Sequence, residues 1–524
     1  MTNPPFRRPR ILLVIAHFDE MRQFGGRPHF FPQGVAHAFL AGAFHPETCD
    51  LDLYSEFHSG PLTDQARLAR ADMVVLTGVT SAFDRMKHIT AHARVANPKV
   101  VVVAGGPAVR NLPVSAAPIF DFAAQGDIEE MGEIAREVFG PQAVNPNPLP
   151  RFDLMGFKGP ITYVESTRYC NFKCSFCALT GEGRGYQTYD LDYIRAQITS
   201  QPKGKYLLFV DNNFLGSNMR HYHQKLALLE ELYRDGWFKG WIALVTNDFY
   251  ARKGLLEQAA KAGCVGLFSG VETLDPEQLK RYDKKQNLAL PQMEAIERCL
   301  EAGIVYQYGM IFDPSEQTVA EMEEQMGFLI DHHRIPLPAF MSMTIPLLGT
   351  PIFDQVLEDG RFLPSTRLRD MDGVTQVLRP QNDLHEVTAF IKRMKKLDWA
   401  RRRILARSWR FYRHYRGRLN AKQMGILLGN GARLISPSMN VNNMAWMPGA
   451  REQEERTYVT TTQPLSRLYR PNVPMPAHLE GHFEPTMITD AQGTLHPMVA
   501  RDVLRPERQN PSAQSLRAAL VPAQ

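Results

Sequence analysis

The sequence has no run of about 18 or more apolar residues and only six cysteines in 524 residues. Without a long apolar run, no membrane-spanning helix is expected. The short run "ILLVIA" near the start is better interpreted as a buried strand than as a signal peptide. Few cysteines exclude a disulfide framework and are typical of a protein of the reducing cytoplasm. The formal net charge of +5 is small for this length, so charge alone does not indicate nucleic-acid binding.

Residues 1–140 contain three short apolar runs, "ILLVIA", "ADMVVLTGVT" and "KVVVVAGGP", with helix-compatible polar segments between them. This alternation predicts a doubly wound parallel sheet with helices on both faces. Sheets of this kind bind ligands beyond the carboxyl ends of their strands. The stretch 141–154 is rich in proline and asparagine and is typical of a linker.

A second alternating series spans residues 155–373. Its strand-like segments are "ITYVEST", "KYLLFVDNNF", "WIALVTND", "VGLFSGVET", "VYQYGMIFD" and, more weakly, "PAFMSMTIPLLGTP". Six β/α units predict a partial or complete parallel barrel with its site at the carboxyl ends of the strands. Beyond it, residues 374–430 predict a basic, aromatic helical segment, and residues 431–524, proline-rich and weakly periodic, predict a loosely packed extension.

Three cysteines, Cys170, Cys174 and Cys177, stand close together in "RYCNFKCSFC", directly after the first strand of the second series. Structural zinc sites normally use four ligands, and the other three cysteines are scattered in or beside apolar segments. A [4Fe–4S] cluster is normally held by four thiolates. Three thiolates would leave one iron open to an exogenous chelating ligand, so the spacing favours such a cluster, with a zinc or other structural site as the alternative.

The motif "CNFKCSFC", with the aromatic Phe176 before its last cysteine, resembles the radical S-adenosylmethionine (AdoMet) superfamily. In that family the open iron chelates AdoMet, and electron transfer cleaves it to a 5′-deoxyadenosyl radical that abstracts hydrogen from a substrate. The segments "FVDNNF", "AGCVGLFSGVETLDPEQLKRYDKKQN" and "LLGTPIFDQVLEDGRF" are similar to the branch with an N-terminal cobalamin-binding-type domain. That branch includes the anaerobic oxidative cyclase of bacteriochlorophyll synthesis and the hopanoid C-methylases.

The resemblance implies roles for side chains at strand ends. Phe176, Asp211, Asn212 and Glu272 take positions of AdoMet or substrate contacts, and Glu272 would accept hydrogen bonds from AdoMet. Asn247 and Asp248 are similarly placed. The alternative for the Asp and Asn residues is a turn that caps the next helix, since both residue types favour such positions.

Cobalamin is less clearly indicated, because the motif D-x-H-x-x-G, whose histidine ligates cobalt in many cobalamin domains, is missing. His17 in "IAHFDEMRQFGG" lacks the flanking Asp and Gly, and His58 in "EFHSG" fails the pattern too. Small residues at strand ends would let a flat macrocycle approach the backbone. The candidate contacts are Thr77, Gly78, Gly105, Gly106 and Pro107, and their alternative role is in tight turns.

The expected reaction depends on cobalamin. With it, the resemblance implies C-methylation of an unactivated carbon in a hydrophobic small molecule of isoprenoid or tetrapyrrole type. Without it, the same radical would drive oxidation, cyclisation or rearrangement. A third hypothesis, from another class, is a cluster-bearing scaffold protein without catalysis. The intact "CNFKCSFC" and "GVET" argue against it. The family chemistry also implies an electron donor such as flavodoxin or ferredoxin.

Two other stretches have open interpretations. Arg168, beside the cysteines, could tune the potential of a cluster or bind a carboxylate, or it could be a surface charge. The glycine-rich "GEGRG" predicts a flexible cover over the cluster. The segment "KRMKKLDWARRRILARSWRFYRHYRGR" interleaves arginines with Trp399, Trp409, Phe411, Tyr412 and Tyr415. It fits a helix that packs its aromatic residues on the barrel, a helix that docks on an anionic membrane, or a nucleic-acid surface, which no accompanying module supports.

Overall fold

Two parallel sheets organise the computed structural model. It describes residues 7–18, 34–156, 159–363, 366–373, 375–396, 400–430 and 471–488. The sheets follow one another along the chain, as the sequence predicts, and both have only parallel neighbours.

The first sheet has five strands in the order β2-β1-β3-β4-β5. The strands are β1 Arg10–Ile15, β2 Asp50–Ser55, β3 Met73–Thr77, β4 Val101–Gly105 and β5 Phe122–Ala123. The helices are α1 Ala36–Ala41, α2 Glu56–Ser59, α3 Gln65–Arg70, α4 Phe83–Ala96, α5 Pro107–Asn111, α6 Pro113–Ala116 and α7 Ile128–Phe139. The three apolar runs became β1, β3 and β4, at the centre of the sheet.

Both faces of this sheet are covered, which confirms the doubly wound arrangement. Alternate residues of a strand point to opposite faces, and β1 supplies Leu12 and Val14 to one apolar core and Ile11 and Leu13 to another. The stretch 141–154 is joined to this domain rather than free, since Ala143 is buried and Asn145 N donates to Ala43 O over 2.8 Å.

The second sheet has six strands in the order β13-β12-β11-β10-β9-β6 and does not close, so it is a half-barrel. Its strands are β6 Ile161–Val164, β9 Lys205–Phe209, β10 Phe238–Leu244, β11 Cys264–Glu272, β12 Val305–Phe312 and β13 Phe340–Met343, and a small hairpin pairs β7 Thr167–Arg168 with β8 Gln187–Thr188. The helices are α8 Ala178–Glu182, α9 Leu191–Thr199, α10 Met219–Arg234, α11 Asp248–Ala251, α12 Leu255–Lys261, α13 Pro276–Arg281, α14 Gln292–Glu301, α15 Val319–Asp331 and α16 Pro351–Glu358. All six predicted strands are present.

Four more helices follow: α17 Leu384–Lys396, α18 Arg401–Tyr415, α19 Ala421–Gly429 and α20 Ala477–Glu480. Helix α18 lies on α15 and the loop after it: Arg407 donates to Leu329 O over 3.2 Å, and Tyr415 donates to Arg334 O in the loop over 2.7 Å. None of the described helices is long and apolar enough to cross a bilayer. Trp399 lies outside the described residues.

Residues 471–488, which we call the C-terminal strap, are packed on the first domain. Thr486 donates to the buried carboxylate of Asp84 on α4, through its hydroxyl at 2.8 Å and its backbone N–H at 3.1 Å. The ring of Phe483 stacks on His88 at 4.7 Å, and Ile488 is fully buried. The expectation of loose packing after residue 430 is therefore wrong for this strap, because it completes the burial of α4. The other residues beyond 430 lie outside the described part.

Candidate active site

The cysteine loop, residues 169–177, connects β7 to α8 at the carboxyl end of the half-barrel. Contacts from distant segments fix its middle: Ser175 N donates to Tyr282 O over 3.0 Å, and Ile352 N donates to Ser175 O over 3.2 Å. Behind the loop, a Cβ on Gly181 would lie 2.9 Å from Leu348 O, so only glycine allows this close approach. The loop is thus held between α13 and α16.

The three thiols lie in a half-buried environment with few donors. Phe172 N donates to Cys170 Sγ over 3.5 Å, and Gln286 Nε2 donates to Cys174 Sγ over 3.2 Å. Burial raises the pKa of Cys170 to about 11 and also raises the pKa of Cys174 and Cys177. Metal binding must therefore displace protons from these thiols.

Within the described ranges, no group of three or more His, Cys, Asp or Glu side chains is arranged to hold a single metal ion. A [4Fe–4S] cluster needs a different arrangement, because its thiolates each bind a separate iron of one cuboidal cluster. The three thiols on one loop can supply such separate thiolate ligands, and the amide N–H of Phe172 points at one of the sulfurs. Hydrogen bonds to the sulfurs are one of the means by which proteins set the potential of such clusters.

A buried ion pair anchors the start of the cysteine loop. Asp211 is fully buried and accepts from Ser166 N at 2.7 Å, Thr167 N at 3.1 Å and the Ser166 hydroxyl. The ammonium of Lys225, also fully buried, lies 3.7 Å from Asp211 and donates over 2.8 Å to the Ser166 hydroxyl and to Phe214 O. The Asp211 carboxylate is engaged inside the protein, so its predicted contact with AdoMet gains no support from its position.

Glu272 and the loop residue Phe176 both lie near the ammonium of Lys284. Glu272, at the end of β11, is paired with the buried ammonium of Lys284. That ammonium lies 5.6 Å from the centre of the Phe176 ring, and the ring packs on Tyr282 at 5.1 Å. Phe176 is thus part of the cysteine loop and Glu272 lies near it, and their roles as AdoMet contacts stay predictions.

Backbone strain is concentrated around this site. Among the described non-glycine residues, three have positive φ: Tyr169 at 59°, Glu272 at 64° and Asp283 at 49°. Tyr169 directly precedes Cys170, and Asp283 directly precedes Lys284. Residues in sparsely populated backbone regions occur preferentially at functional sites, where the surrounding structure holds them.

A cavity of about 410 Å³ lies between the carboxyl ends of the two sheets. The first domain lines it with four of the predicted contacts, Thr77, Gly105, Gly106 and Pro107, and the half-barrel lines it with Asn212, Val210 and Glu165. Tyr169 and Leu179, on either side of the cysteines, also line it. The cavity therefore borders the cysteine loop.

The remaining predicted contacts do not line this cavity. Gly78 lies beneath it, where a Cβ would be 3.0 Å from the Cβ of Ala82. His17 lies to one side, with its backbone N–H 3.0 Å from Glu56 Oε2 and its ring edge-on to Phe57 at 5.2 Å. No histidine is among the described residues that line the cavity, so His17 as a cobalt ligand stays a prediction, as does any role for the buried His58.

A network of charged groups joins the two domains beside the cavity. Asp127, at the start of α7, binds Arg110, the Tyr169 hydroxyl and Arg184. Arg110 also donates to Glu182 on α8 over 2.7 Å. The segment "GEGRG" thus ends a helix and ties the domains together, which corrects the expectation of a flexible cover.

Arg168 belongs to the same interface. Its guanidinium lies 2.9 Å from Glu129 of the first domain and 5.0 Å from the centre of the Tyr189 ring. Burial lowers the pKa of Arg168, but its neighbours Tyr189 and Glu129 more than offset this, so the pKa is raised. The position is a junction between domains rather than an isolated surface charge.

Glu165, which the sequence reasoning missed, faces the cavity from the end of β6. Its carboxyl group accepts from the Tyr189 hydroxyl at 2.6 Å and lies 3.8 Å from Arg168. Burial raises the pKa of Glu165 to about 7. Asp211 and Glu272 are candidates because they stand at the carboxyl ends of predicted strands. Glu165 in "ITYVEST" stands at such an end too, so the sequence does carry a signal for it.

We expect Glu165→Gln to stabilise the protein more at pH 8 than at pH 5. The folded pKa is raised, so between its ordinary value of 4.5 and about 7 the unfolded chain loses a proton that the folded chain keeps, and stability falls as pH rises. The gain at pH 8 should be about 1–3 kcal/mol, measured by urea unfolding without added cofactor. Glu257→Gln, at an exposed carboxylate, is the control; equal effects of the two variants at both pH values would contradict the prediction.

Two further predicted residues have local structural contacts. The Asn247 side chain is buried and donates to Asn287 O over 2.9 Å. Asp248 accepts from the Thr246 hydroxyl at 2.5 Å. The Asp248 contact is local and fits the turn interpretation, whereas Asn247 contacts a distant segment and makes no side-chain bond that caps the next helix. Lys284 and Gln286, in the stretch "RYDKKQN", do reach the cysteine loop. The sequence does not indicate this, because no local spacing predicts a contact between positions 112 residues apart.

Comparison with known proteins agrees with this architecture. The family model described as the Radical SAM superfamily matches residues 164–326. The bacteriochlorophyllide d C-8(2)-methyltransferase of Chlorobaculum tepidum is 29% identical over 217 residues, which are 39% of this chain and 46% of that protein. The hopanoid C-2 methylase of Rhodopseudomonas palustris is 25% identical over 391 residues, 68% of this chain and 71% of that protein. The chain thus spans less than half the length of the first of these relatives.

Solved structures support the fold. The cobalamin-dependent AdoMet radical enzyme OxsB, with aqua-cobalamin and AdoMet bound, aligns over 98% of this chain and 84% of its own with a TM-score of 0.55 and 13% identity. The radical AdoMet methyltransferase TsrM from Kitasatospora setae, with cobalamin and a [4Fe–4S] cluster bound, aligns over 72% of this chain and 83% of its own with a TM-score of 0.51 and 15% identity. At this identity the likeness concerns the fold alone.

Proposed function

We propose that this protein binds a [4Fe–4S] cluster through Cys170, Cys174 and Cys177 and cleaves AdoMet in order to methylate carbon in a hydrophobic small molecule. The match of residues 164–326 to the Radical SAM family model supports this proposal. The proposed methyl carrier is cobalamin. When bound, the cluster supplies the electron that cleaves AdoMet, and cobalamin supplies the methyl group. The radical SAM family implies the cluster and AdoMet, and cobalamin is part of the proposal.

The observation that carries this proposal is the cavity between the two sheets. Its first-domain wall offers backbone and small side chains at Gly105, Gly106 and Ala124, and its other wall adjoins the cysteine loop at Tyr169. A flat macrocycle needs such a wall, since a Cβ or a longer side chain would hold it away from the backbone. Placement at the carboxyl ends of both sheets is also where parallel α/β folds bind ligands.

The half-barrel offers an apolar surface for the substrate, which we call the lumen face. It is the sheet face turned away from the covering helices, and its residues are half-buried or exposed while their neighbours in the strands are buried. Its apolar members are Leu208, Ile242, Leu244, Phe268, Ile311 and Phe340. Phe340, 45% exposed, stacks on Phe268 at 5.5 Å, and a Cβ on Gly309 would lie 2.8 Å from its ring.

This chain's own residues would have distinct tasks in the reaction. Asp211 and Lys225 hold the loop that carries the cysteines. Asn212 and Glu165 face the cavity, where an amide and a carboxyl group can orient a bound molecule. The apolar lumen face would exclude water from the reacting carbon.

Product analysis tests the proposed reaction. Anaerobically reconstituted protein, supplied with AdoMet and dithionite, should form 5′-deoxyadenosine, and with hydroxocobalamin present it should also form S-adenosylhomocysteine. The second product distinguishes methyl transfer from radical cyclisation or rearrangement. An intact cluster that yields neither product would refute the proposed enzyme and favour a scaffold.

Cobalamin binding can be tested apart from activity. Gly105 has an ordinary β-strand backbone, and a Cβ there would lie 3.6 Å from the Cβ of Ala124, a normal contact. Gly105→Leu should thus fold but place a side chain in the cavity, weakening hydroxocobalamin binding by about tenfold or more as measured by visible absorbance. Gly425→Leu, at an exposed helical glycine with no atom within 4 Å of the added Cβ, is the control. Unchanged binding by Gly105→Leu would exclude this cavity as the cobalamin site.

A further inference from the structure

Helix α18 has two very different faces. One face carries Arg407, Phe411 and Tyr415, which are buried against the half-barrel. The other carries Leu405, Trp409 and Tyr412, which are 64%, 60% and 39% exposed. Positions 405, 409 and 412 follow the i, i+4, i+7 spacing, so the three side chains form one stripe along the outside of the helix. We call this the outer stripe.

Arginines surround the outer stripe. At 3.6 residues per turn, Arg401 and Arg402 begin the helix beside it, Arg413 flanks it, and Arg416 follows its last residue. All four are exposed, and none forms an ion pair with an acidic side chain in the described ranges. Residues 401–430 contain no Asp or Glu at all.

Other arginines of the same segment do have partners. Arg403 is paired with Asp331, Arg407 donates to Leu329 O, and Arg418 donates to Glu301 O. These three attach the helix to the half-barrel. The arginines around the outer stripe are therefore not required for that attachment.

We propose that the outer stripe and its arginines dock this protein on the surface of a bilayer that contains anionic lipids. An interfacial helix buries an apolar stripe at the boundary of headgroups and acyl chains, while flanking cations contact the anionic headgroups. Tryptophan and tyrosine favour that boundary, because each ring has an apolar body and a polar edge. Leu405, Trp409 and Tyr412 supply the apolar part, and Arg401, Arg402, Arg413 and Arg416 supply the charge.

A nucleic acid would fit this surface less well. Phosphates could pair with the arginines, but they would leave the most exposed side chain, Leu405, without an apolar partner. The rings that could stack on bases are also partly covered, since Trp409 and Tyr412 stack on each other at 5.7 Å. A bilayer accommodates all three apolar side chains at once.

The helix that carries the docking surface is followed by one that contacts the amino end of the half-barrel. The helix that follows, α19, reaches that end, where Gln423 donates to Gly303 O over 2.8 Å and the ammonium of Lys422 lies 4.5 Å from the centre of the Tyr206 ring. That end is opposite the carboxyl ends of the strands, where the cysteine loop and the cavity lie, so a use of the docking in substrate delivery rests on the proposed function. The docking itself does not.

Vesicle co-sedimentation of the full chain tests the proposal. Protein should sediment with vesicles of phosphatidylcholine and phosphatidylglycerol in equal parts and remain in solution with phosphatidylcholine alone. Leu405→Ser with Trp409→Ser, and separately Arg402→Ser with Arg413→Ser, should each weaken binding by about tenfold or more. Because all four side chains are exposed, thermal unfolding of these variants should match that of the unmodified chain.

Arg220→Ser with Arg234→Ser, two exposed arginines on α10, is the charge-matched control and should bind like the unmodified chain. The proposal is overturned if the unmodified protein ignores anionic vesicles, or if the control loses as much binding as the Arg402 and Arg413 variant. It is also overturned if the variants lose only binding to a DNA duplex, or only self-association in size-exclusion chromatography. Each of these outcomes is independent of AdoMet cleavage.

Discussion

Replacing Cys170, Cys174 or Cys177 by alanine, one at a time, is expected to bring formation of 5′-deoxyadenosine and S-adenosylhomocysteine below detection. Each thiolate would hold a separate iron of the cluster, and none of the other three cysteines is near enough to substitute. Cys49 is buried in an apolar core of the first domain, and Cys264 and Cys299 are buried in the core of the half-barrel. The measurement is chromatography of products after anaerobic reconstitution, together with iron content and the visible spectrum.

Cys49→Ala is the matched control, because Cys49 is buried in the first domain, where its thiol donates to Ala143 O over 3.7 Å. It should keep the cluster and both products. A Cys170→Ala, Cys174→Ala or Cys177→Ala protein with a full iron content and normal products would remove that residue from the proposed ligand set.

Lys225→Met is expected to destabilise the protein strongly and to lower its iron content after reconstitution. The substitution leaves the fully buried Asp211 carboxylate without its ammonium partner, and loss of one partner of a buried ion pair costs about 3–5 kcal/mol. Burial lowers the pKa of Lys225 to about 8, so the ammonium is still charged at neutral pH. Urea unfolding measures the first effect, and iron content after reconstitution measures the second.

Two variants separate this pair from ordinary surface charges. Asp211→Asn with Lys225→Met should recover part of the lost stability, because no unpaired charge remains inside. Arg195→Met breaks an exposed pair with Glu231 on neighbouring helices and should leave the unfolding midpoint nearly unchanged. If Lys225→Met unfolds like the unmodified chain, the pair does not anchor the cysteine loop.

The central strands could be predicted from the sequence, whereas the edges of the first sheet could not. Strands β1, β3 and β4 are buried on both faces and therefore have continuous apolar runs. Strand β2 has the sequence "DLDLYS" and is mostly half-buried, so its pattern is not that of a buried strand. Strand β5 has two residues, too few for any period.

Only part of the site could be predicted from the sequence, because a local pattern does not determine where each side chain points. A strand end locates a residue but does not give its orientation, and successive residues of extended chain point to opposite sides. Asn212 therefore faces the cavity while its neighbour Asp211 is fully buried. The cysteine spacing was local and visible in the sequence. Contacts from Gln286 and Lys225 join segments far apart in the chain, and only the fold brings them together.

The C-terminal strap has a consequence for the order in which the chain can fold during synthesis. Asp84 and Thr486 are 402 positions apart. Lys87, on the same helix, is a nearby partner of this buried carboxylate at 3.1 Å, but its hydrogen-bond donor Thr486 leaves the ribosome long after the first domain does. At roughly 5–20 residues per second the delay is about 20 to 80 s. Until residue 486 has been made, the first domain lacks the contacts of the strap, and the part of α4 beneath the strap is uncovered. The N-terminal domain would therefore be completed only after the half-barrel that follows it has left the ribosome.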